Sequence, residues 1–194
     1  MRWLPFAVGA WLALGLELGL APQLAWHVRT VTIQPSFLLP LAVFVAMGAA
    51  ANHAVWACLV LGLLLDLTWR WPASTLSDTL TVLGPHALGY LVAGQFVLAM
   101  RSMMIRRNPL ALAALAVAAS LISGVTIVAV FAIRDALGDI VVWSTWTELL
   151  GRMGASIYTG VVALVMGFVL LRLAPVFGFT LGPRGMPRRA YERR

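Results

Sequence analysis

Six apolar runs constrain this chain more than any other feature. They cover residues 3–21, 35–51, 52–68, 84–100, 110–133 and 153–171, and arginines stand in the stretches between them. A helical crossing of a bilayer core takes about 20 apolar residues, with a usual range of about 17 to 25. Runs two, three and four are at the short end, so their helices should thin the lipid locally or be shielded by neighbours. The expected fold is all-α: a polytopic integral membrane protein of about six transmembrane helices over residues 1–174. A basic, flexible cytoplasmic tail is expected over 175–194.

The composition excludes a soluble domain. Of the 194 residues, 61% are hydrophobic and 11% charged, whereas a soluble domain carries about 25% charged residues. The net charge is +7, and every basic residue is arginine. These arginines flank the apolar runs, which is a topology pattern and not a groove for nucleic acid. The single cysteine, Cys58, excludes an intramolecular disulfide and any multi-cysteine metal site. The run at 3–21 is long enough to span, and Ala21–Pro22 is a poor cleavage site, so it reads as a retained first helix and not as a signal peptide.

Arginine placement sets the expected orientation. With both termini inside, ten arginines are cytoplasmic; Arg29, Arg70, Arg134 and Arg152 are outside. The positive-inside rule therefore favours N-in and C-in in a bacterial cytoplasmic (inner) membrane. Trp69, Trp71, Trp143 and Trp146 fall near the expected outer ends. Runs two and three are separated only by residues 50–54, AANHA, where Asn52 can take a left-handed turn conformation. They should form a tight antiparallel hairpin. Pro175, Pro183 and Pro187 interrupt the tail, whose arginines suit anionic lipid at about 1 kcal/mol each. No internal repeat with matching motifs is legible, and the inverted-repeat pattern of many transporters is missing.

Nothing in the chain reads as a catalytic set. His27, His53 and His86 have no serine, cysteine or acid at a readable spacing, and there is no HExxH, GxSxG or phosphate-binding loop. No metal or cofactor is expected. Two acids fall inside apolar runs, Glu17 and Asp66. An ionisable group there is costly and marks either a substrate, ion or proton site, or a polar clamp that fixes helix arrangement. The clamp is the favoured reading because few other polar groups share these runs. Gly15 and Gly19 form a GxxxG pair that permits close helix approach. Glu17 lies about 200° from either glycine at 100° per residue, so it should contact a different partner. Ala116, Ser120 and Gly124 make a similar stripe. Asp66 has two candidate partners: Arg70 at i+4, or the start of the next helix at Gly84–His86, where Pro85 is placed to open it.

Three stretches carry a family resemblance: PSFLLPLAVFVAM at 35–47, LVLGLLLDLTW at 59–69 and LGPHALGYLVA at 83–93. Their order and the six-run layout resemble the MreD family of bacterial rod shape-determining proteins. About a third of the chain is covered well. In that family a glycine usually follows the aspartate by about eight residues, whereas Asp66 to Gly84 is 18, so PASTLSDTLTV looks like an insertion. The resemblance implies a non-enzymatic scaffold of the cell-elongation machinery that makes peptidoglycan. Its partners would be an MreC-like protein, MreB, and the RodA–penicillin-binding protein pair. It also implies a fold similar to the substrate-binding subunits of ECF vitamin transporters. Pro35, Gly62, Asp66, Gly84, His86 and Leu88 are the positions it marks as structural or interface residues. The alternative is a vitamin-binding ECF-type subunit, which would need a polar cavity open to the outside, near Ser77, Asp78, Thr79, Thr81, Tyr158 and Thr159.

Overall fold

A computed structural model describes residues 1–28, 31–72, 79–103, 108–137 and 144–179. Six helices form the body: α1 (Trp3–Gly19), α2 (Leu38–Gly48), α3 (Ala51–Thr68), α4 (Pro85–Met100), α5 (Pro109–Ala136) and α6 (Thr145–Leu173). Two small antiparallel hairpins interrupt them. β1 (Trp26–Val28) pairs with β2 (Val31–Ile33), and β3 (Trp71–Pro72) with β4 (Thr79–Leu80). The helical character matches expectation; the hairpins do not appear in it. Helices α3, α5 and α6 are long and apolar enough to cross a membrane, while α1, α2 and α4 are shorter apolar helices.

Helix α2 is the centre of the bundle. It touches all five other helices, and every residue from Leu38 to Met47 is buried. A helix apolar on all faces has no solvent-tolerant side and is stable only when enclosed. Pro40 is accommodated because it sits in the first turn, where its missing N–H is not needed. The connection from α2 to α3 is only Ala49 and Ala50, both extended. Asn52 lies inside α3, so the expected left-handed turn at Asn52 is not formed; two extended alanines reverse the chain instead.

Each end of α2 meets a charge of the right sign. At its start, the Glu17 carboxylate accepts from backbone amides. At its end, Arg101 Nη1 donates to Ala46 O at 3.3 Å and Ala49 O at 2.6 Å. An anion at the N-terminus and a cation at the C-terminus both complement the helix dipole. The same end is closed by the turn after α6, where the Arg2 amide donates to Phe177 O and buried Phe177 and Phe179 pack on Phe44. The basic tail expected from 175 thus begins with packed aromatic residues; 180–194 lie outside the described residues.

The first four helices form two matching units, helix–hairpin–helix. Glu17 and Asp66 are 49 positions apart, as are Phe37 and His86, and Leu38 and Ala87. The stretches LALGLEL at 12–18 and LGLLLDL at 61–67 align on the same offset. An internal repeat is therefore present where none was expected. On this offset, the stretch between Asp66 and Gly84 stands where the first hairpin stands in the other unit.

Candidate functional site

Asp66 sits in the last turn of α3 and is fully buried (0% exposed). Its Oδ1 accepts from the His86 amide at 2.9 Å and pairs with His86 Nδ1 at 2.8 Å. Its Oδ2 accepts from the Gly84 amide at 2.8 Å and the Ala87 amide at 3.0 Å. With a carboxylate as acceptor, Nδ1 carries the proton. The first amides of a helix have no partner within it, and Pro85 removes one donor from α4 at no loss. Asp66 supplies what the rest need. Of its two expected partners, the helix start is the one used. Among the described residues no ion pair joins Asp66 to Arg70, because both carboxylate oxygens are already filled from residues 84–87.

Two glycines make this clamp possible. Gly62 lies one turn before Asp66, and a Cβ there would come within 2.6 Å of Ala87 Cα and His86 O. Only a bare backbone lets α3 and α4 approach this closely. Gly84 has φ +118, in the region that favours glycine, and turns the chain so that its amide faces Asp66. Leu88, grouped with these residues by the resemblance, points outward at 46% exposure and takes no part in the clamp.

Glu17 makes the corresponding clamp from α1. Its Oε2 accepts from the Phe37 amide at 2.5 Å, the Leu38 amide at 3.0 Å and the Ser36 hydroxyl at 3.2 Å. It is buried, while Gly15 and Gly19 have no atom within 4 Å of a built Cβ. The two faces of α1 are thus divided as expected: Glu17 turns inward and the glycine pair is open. Ser36 extends the network. Its amide donates to Thr159 Oγ1 on α6 at 3.0 Å, and its hydroxyl lies 3.3 Å from the Tyr90 hydroxyl on α4.

Above this network, at the hairpin end, lies a cavity of about 370 Å³. Its floor includes Glu17, Pro35, Ser36, His86 and Tyr90, and its walls include Ser120, Ser123 and Gly124 of α5 and Glu148, Arg152 and Thr159 of α6. Arg70 also lines it, as do Thr32 and Gln34. Thr159 was expected at such a cavity and is there. Thr81 and Tyr158 do not line it, Ser77 and Asp78 lie outside the described residues, and Thr79 contributes its backbone to β4.

Sequence reasoning placed Arg152 in a loop before the last span. Helix α6 begins at Thr145, so Arg152 is inside it, with Nε 3.8 Å from Glu148 Oε2 one turn earlier. The i,i+4 spacing of Glu148 and Arg152 is the signal that could have revealed this. Gly124 of the α5 stripe admits the Arg152 stem, with a built Cβ 3.1 Å from Arg152 Cβ. Among the described residues no three His, Cys, Asp or Glu side chains converge as a metal site. No protein-family model, curated protein or solved structure matches the chain.

Proposed function

We propose that this chain is a non-enzymatic scaffold of the bacterial cytoplasmic membrane, similar in role to the MreD proteins of the cell-elongation machinery. In this reading all six helices cross, both termini are cytoplasmic, and the chain holds an MreC-like single-span partner. MreB and the RodA–penicillin-binding protein pair belong to the same assembly.

One observation carries the reading: both intramembrane acids are engaged as caps of neighbouring helices. An ion site or proton relay needs an acid whose oxygens can change partners. Asp66 has four donors on two oxygens and no exposed surface. In this reading the surface that serves the function is the lipid-facing one. On α1 it includes the open Gly15 and Gly19 between exposed Leu12, Leu16 and Leu18. In lipid, helix association depends on close packing at small residues, since hydrophobicity alone does not drive it.

Co-expression with an MreC-like protein, followed by affinity capture, tests this. The pair should co-purify, and Gly15→Leu with Gly19→Leu should lower the yield of partner at least tenfold while the thermal midpoint is kept. Absence of capture with the unmodified chain would refute the scaffold.

A second reading, the substrate-binding subunit of an ECF-type vitamin transporter, is favoured by the cavity of about 370 Å³ at the hairpin end. A stabilising thermal shift with one vitamin out of a panel, together with transport in vesicles, would replace the scaffold reading.

A further inference from the structure

The two repeated units fill their acids differently, and the difference opens onto the cavity. Gly84 gives Asp66 an amide, but 49 positions earlier stands Pro35, which has no N–H. His86 gives Asp66 its ring Nδ1, but 49 positions earlier stands Phe37, whose ring has no such donor. Ser36, Phe37 and Leu38 all bond Glu17 through Oε2. Among the described residues Oε1 takes no hydrogen bond, and Glu17 forms no ion pair.

A second polar group is left over on the same cavity. Ser123 of α5 is buried at 4% exposure, is part of the cavity wall and makes no hydrogen bond among the described residues. Thr126 and Ser156 bond the carbonyl four residues earlier in their own helices, a common outlet for a hydroxyl inside a helix. Ser123 does not. Its Oγ leans instead on Gly89, beside Tyr90 in the chain. Buried polar groups without partners are costly, so two of them on one cavity point to a ligand that fills both. The charges say which kind. Arg152 has Glu148 one turn away, and Arg70 is exposed, where water and salt screen it. Glu17 is buried and has no opposite charge of its own among the described residues.

We propose that the cavity binds the primary ammonium group of a small molecule, with Glu17 Oε1 and the hydroxyls of Ser123 and Tyr90 as acceptors. An –NH₃⁺ group has three donors, one for each. The volume of about 370 Å³ is at the low end for small-molecule sites, which run from about 300 to 1,000 Å³, so the ammonium carries an organic body of several atoms. The cap on α2 stays in place, because it uses the other oxygen of Glu17. Soluble amines and the phosphatidylethanolamine headgroup share this chemistry. The assignment rests on the cavity and stands whether or not the chain also holds a protein partner.

The test uses the full chain in nanodiscs of phosphatidylcholine, which brings no primary amine, with 4-amino-1-butanol as the probe in calorimetry. Its isostere 1,4-butanediol lacks the charge, and tetramethylammonium lacks the N–H. The amine should bind at least tenfold more tightly than either control. Glu17→Gln should abolish that preference. Ser123→Ala should weaken the amine at least threefold while the ligand-free thermal midpoint holds or rises, because an unsatisfied hydroxyl is removed; a merely structural serine would lower the midpoint. Native mass spectrometry after purification from phosphatidylethanolamine membranes separates the sources. Retained phosphatidylethanolamine that Glu17→Gln releases assigns the headgroup; binding of the soluble amine without retained lipid assigns a free metabolite. The proposal is overturned if the amine does not bind and no phosphatidylethanolamine is retained. It is also overturned if either control binds as tightly as the amine, or if binding is untouched by both variants in protein of normal thermal midpoint.

Discussion

Asp66 Oδ1 takes both the backbone amide and the ring Nδ1 of His86, twenty residues downstream. Glu17 reaches the Phe37 amide across the same sequence interval. The two clamps differ in detail: Asp66 uses both oxygens, while the bonds to Glu17 from Ser36, Phe37 and Leu38 all fall on Oε2. We predict that the amide variants separate them. Asp66→Asn must turn its NH₂ toward amide donors and leave two of them unpaired, at about 1–3 kcal/mol each. Glu17→Gln can keep its carbonyl oxygen where Oε2 was and loses only charge assistance, on the order of 1 kcal/mol. Thermal unfolding of the purified variants in one detergent should place Asp66→Asn well below Glu17→Gln. Equal losses would show that the capping geometry is not what matters at Asp66.

Much of this arrangement was legible in the residues, and the rest was hidden for physical reasons. A lone carboxylate in an apolar run has to find donors, and Gly84–Pro85 reads as a helix start, so the Asp66 contact is one of the two the sequence offers, beside Arg70 at i+4. The repeat is not legible in this way. Its two units share LALGLEL and LGLLLDL, but their hairpins are strands of two or three residues, too short for a periodic signal, and the sequences joining the acids to the next helices differ. Burial of all of α2 was equally hidden, because an apolar run reads the same whether lipid or protein surrounds it. Arg152 was misplaced since its charge suggested a loop, whereas Gly124 across the interface makes room for it within α6.

Gly62 and Gly84 serve the same clamp for different reasons, and alanine should expose the difference. At Gly62 the added Cβ meets backbone atoms of His86 and Ala87 at 2.6 Å, which cannot swing aside as a flexible side chain would. We predict a loss of about 1–3 kcal/mol for Gly62→Ala, the range for overpacking. At Gly84 there is open space around the Cβ position, but φ is +118. Gly84→Ala should therefore cost about 1–2 kcal/mol of backbone strain alone. The double variant Gly62→Ala with Asp66→Asn should lose less than the sum of its parts, since both changes detach the start of α4. Full additivity in denaturant unfolding would argue that Gly62 and Asp66 act separately.

Arg101 closes the other end of the central helix. Its donations to Ala46 O and Ala49 O satisfy carbonyls left over at the end of α2. Replacing it by methionine keeps the apolar stem and removes the charge. The expected loss is about 1–2 kcal/mol, toward the upper end for a cation at a partly buried helix C-terminus. Arg101→Lys should recover part of it, because one ammonium can reach a carbonyl without the fork geometry of the guanidinium. Lysine behaving no better than methionine in thermal unfolding would sink the capping role.

Phe177 and Phe179 follow α6 past Pro175, in a segment whose prolines suggest a tail with no structural part to play. Both rings are nonetheless buried, at 4% and 5% exposure, and both meet Phe44 in the middle of α2. Gly48 lies under Phe179 so closely that a Cβ would come 2.6 Å from the ring. The turn over residues 174–178 therefore plugs the bundle beside the α2–α3 connection. We predict that Phe179→Ala costs about 3–5 kcal/mol, the range for emptying a buried phenylalanine site. Phe168→Ala, on the outward face of α6 at 57% exposure, should change little. Thermal unfolding in the same detergent compares them directly. If the two variants melt together, the plug adds nothing and the chain after Leu173 is dispensable to the fold.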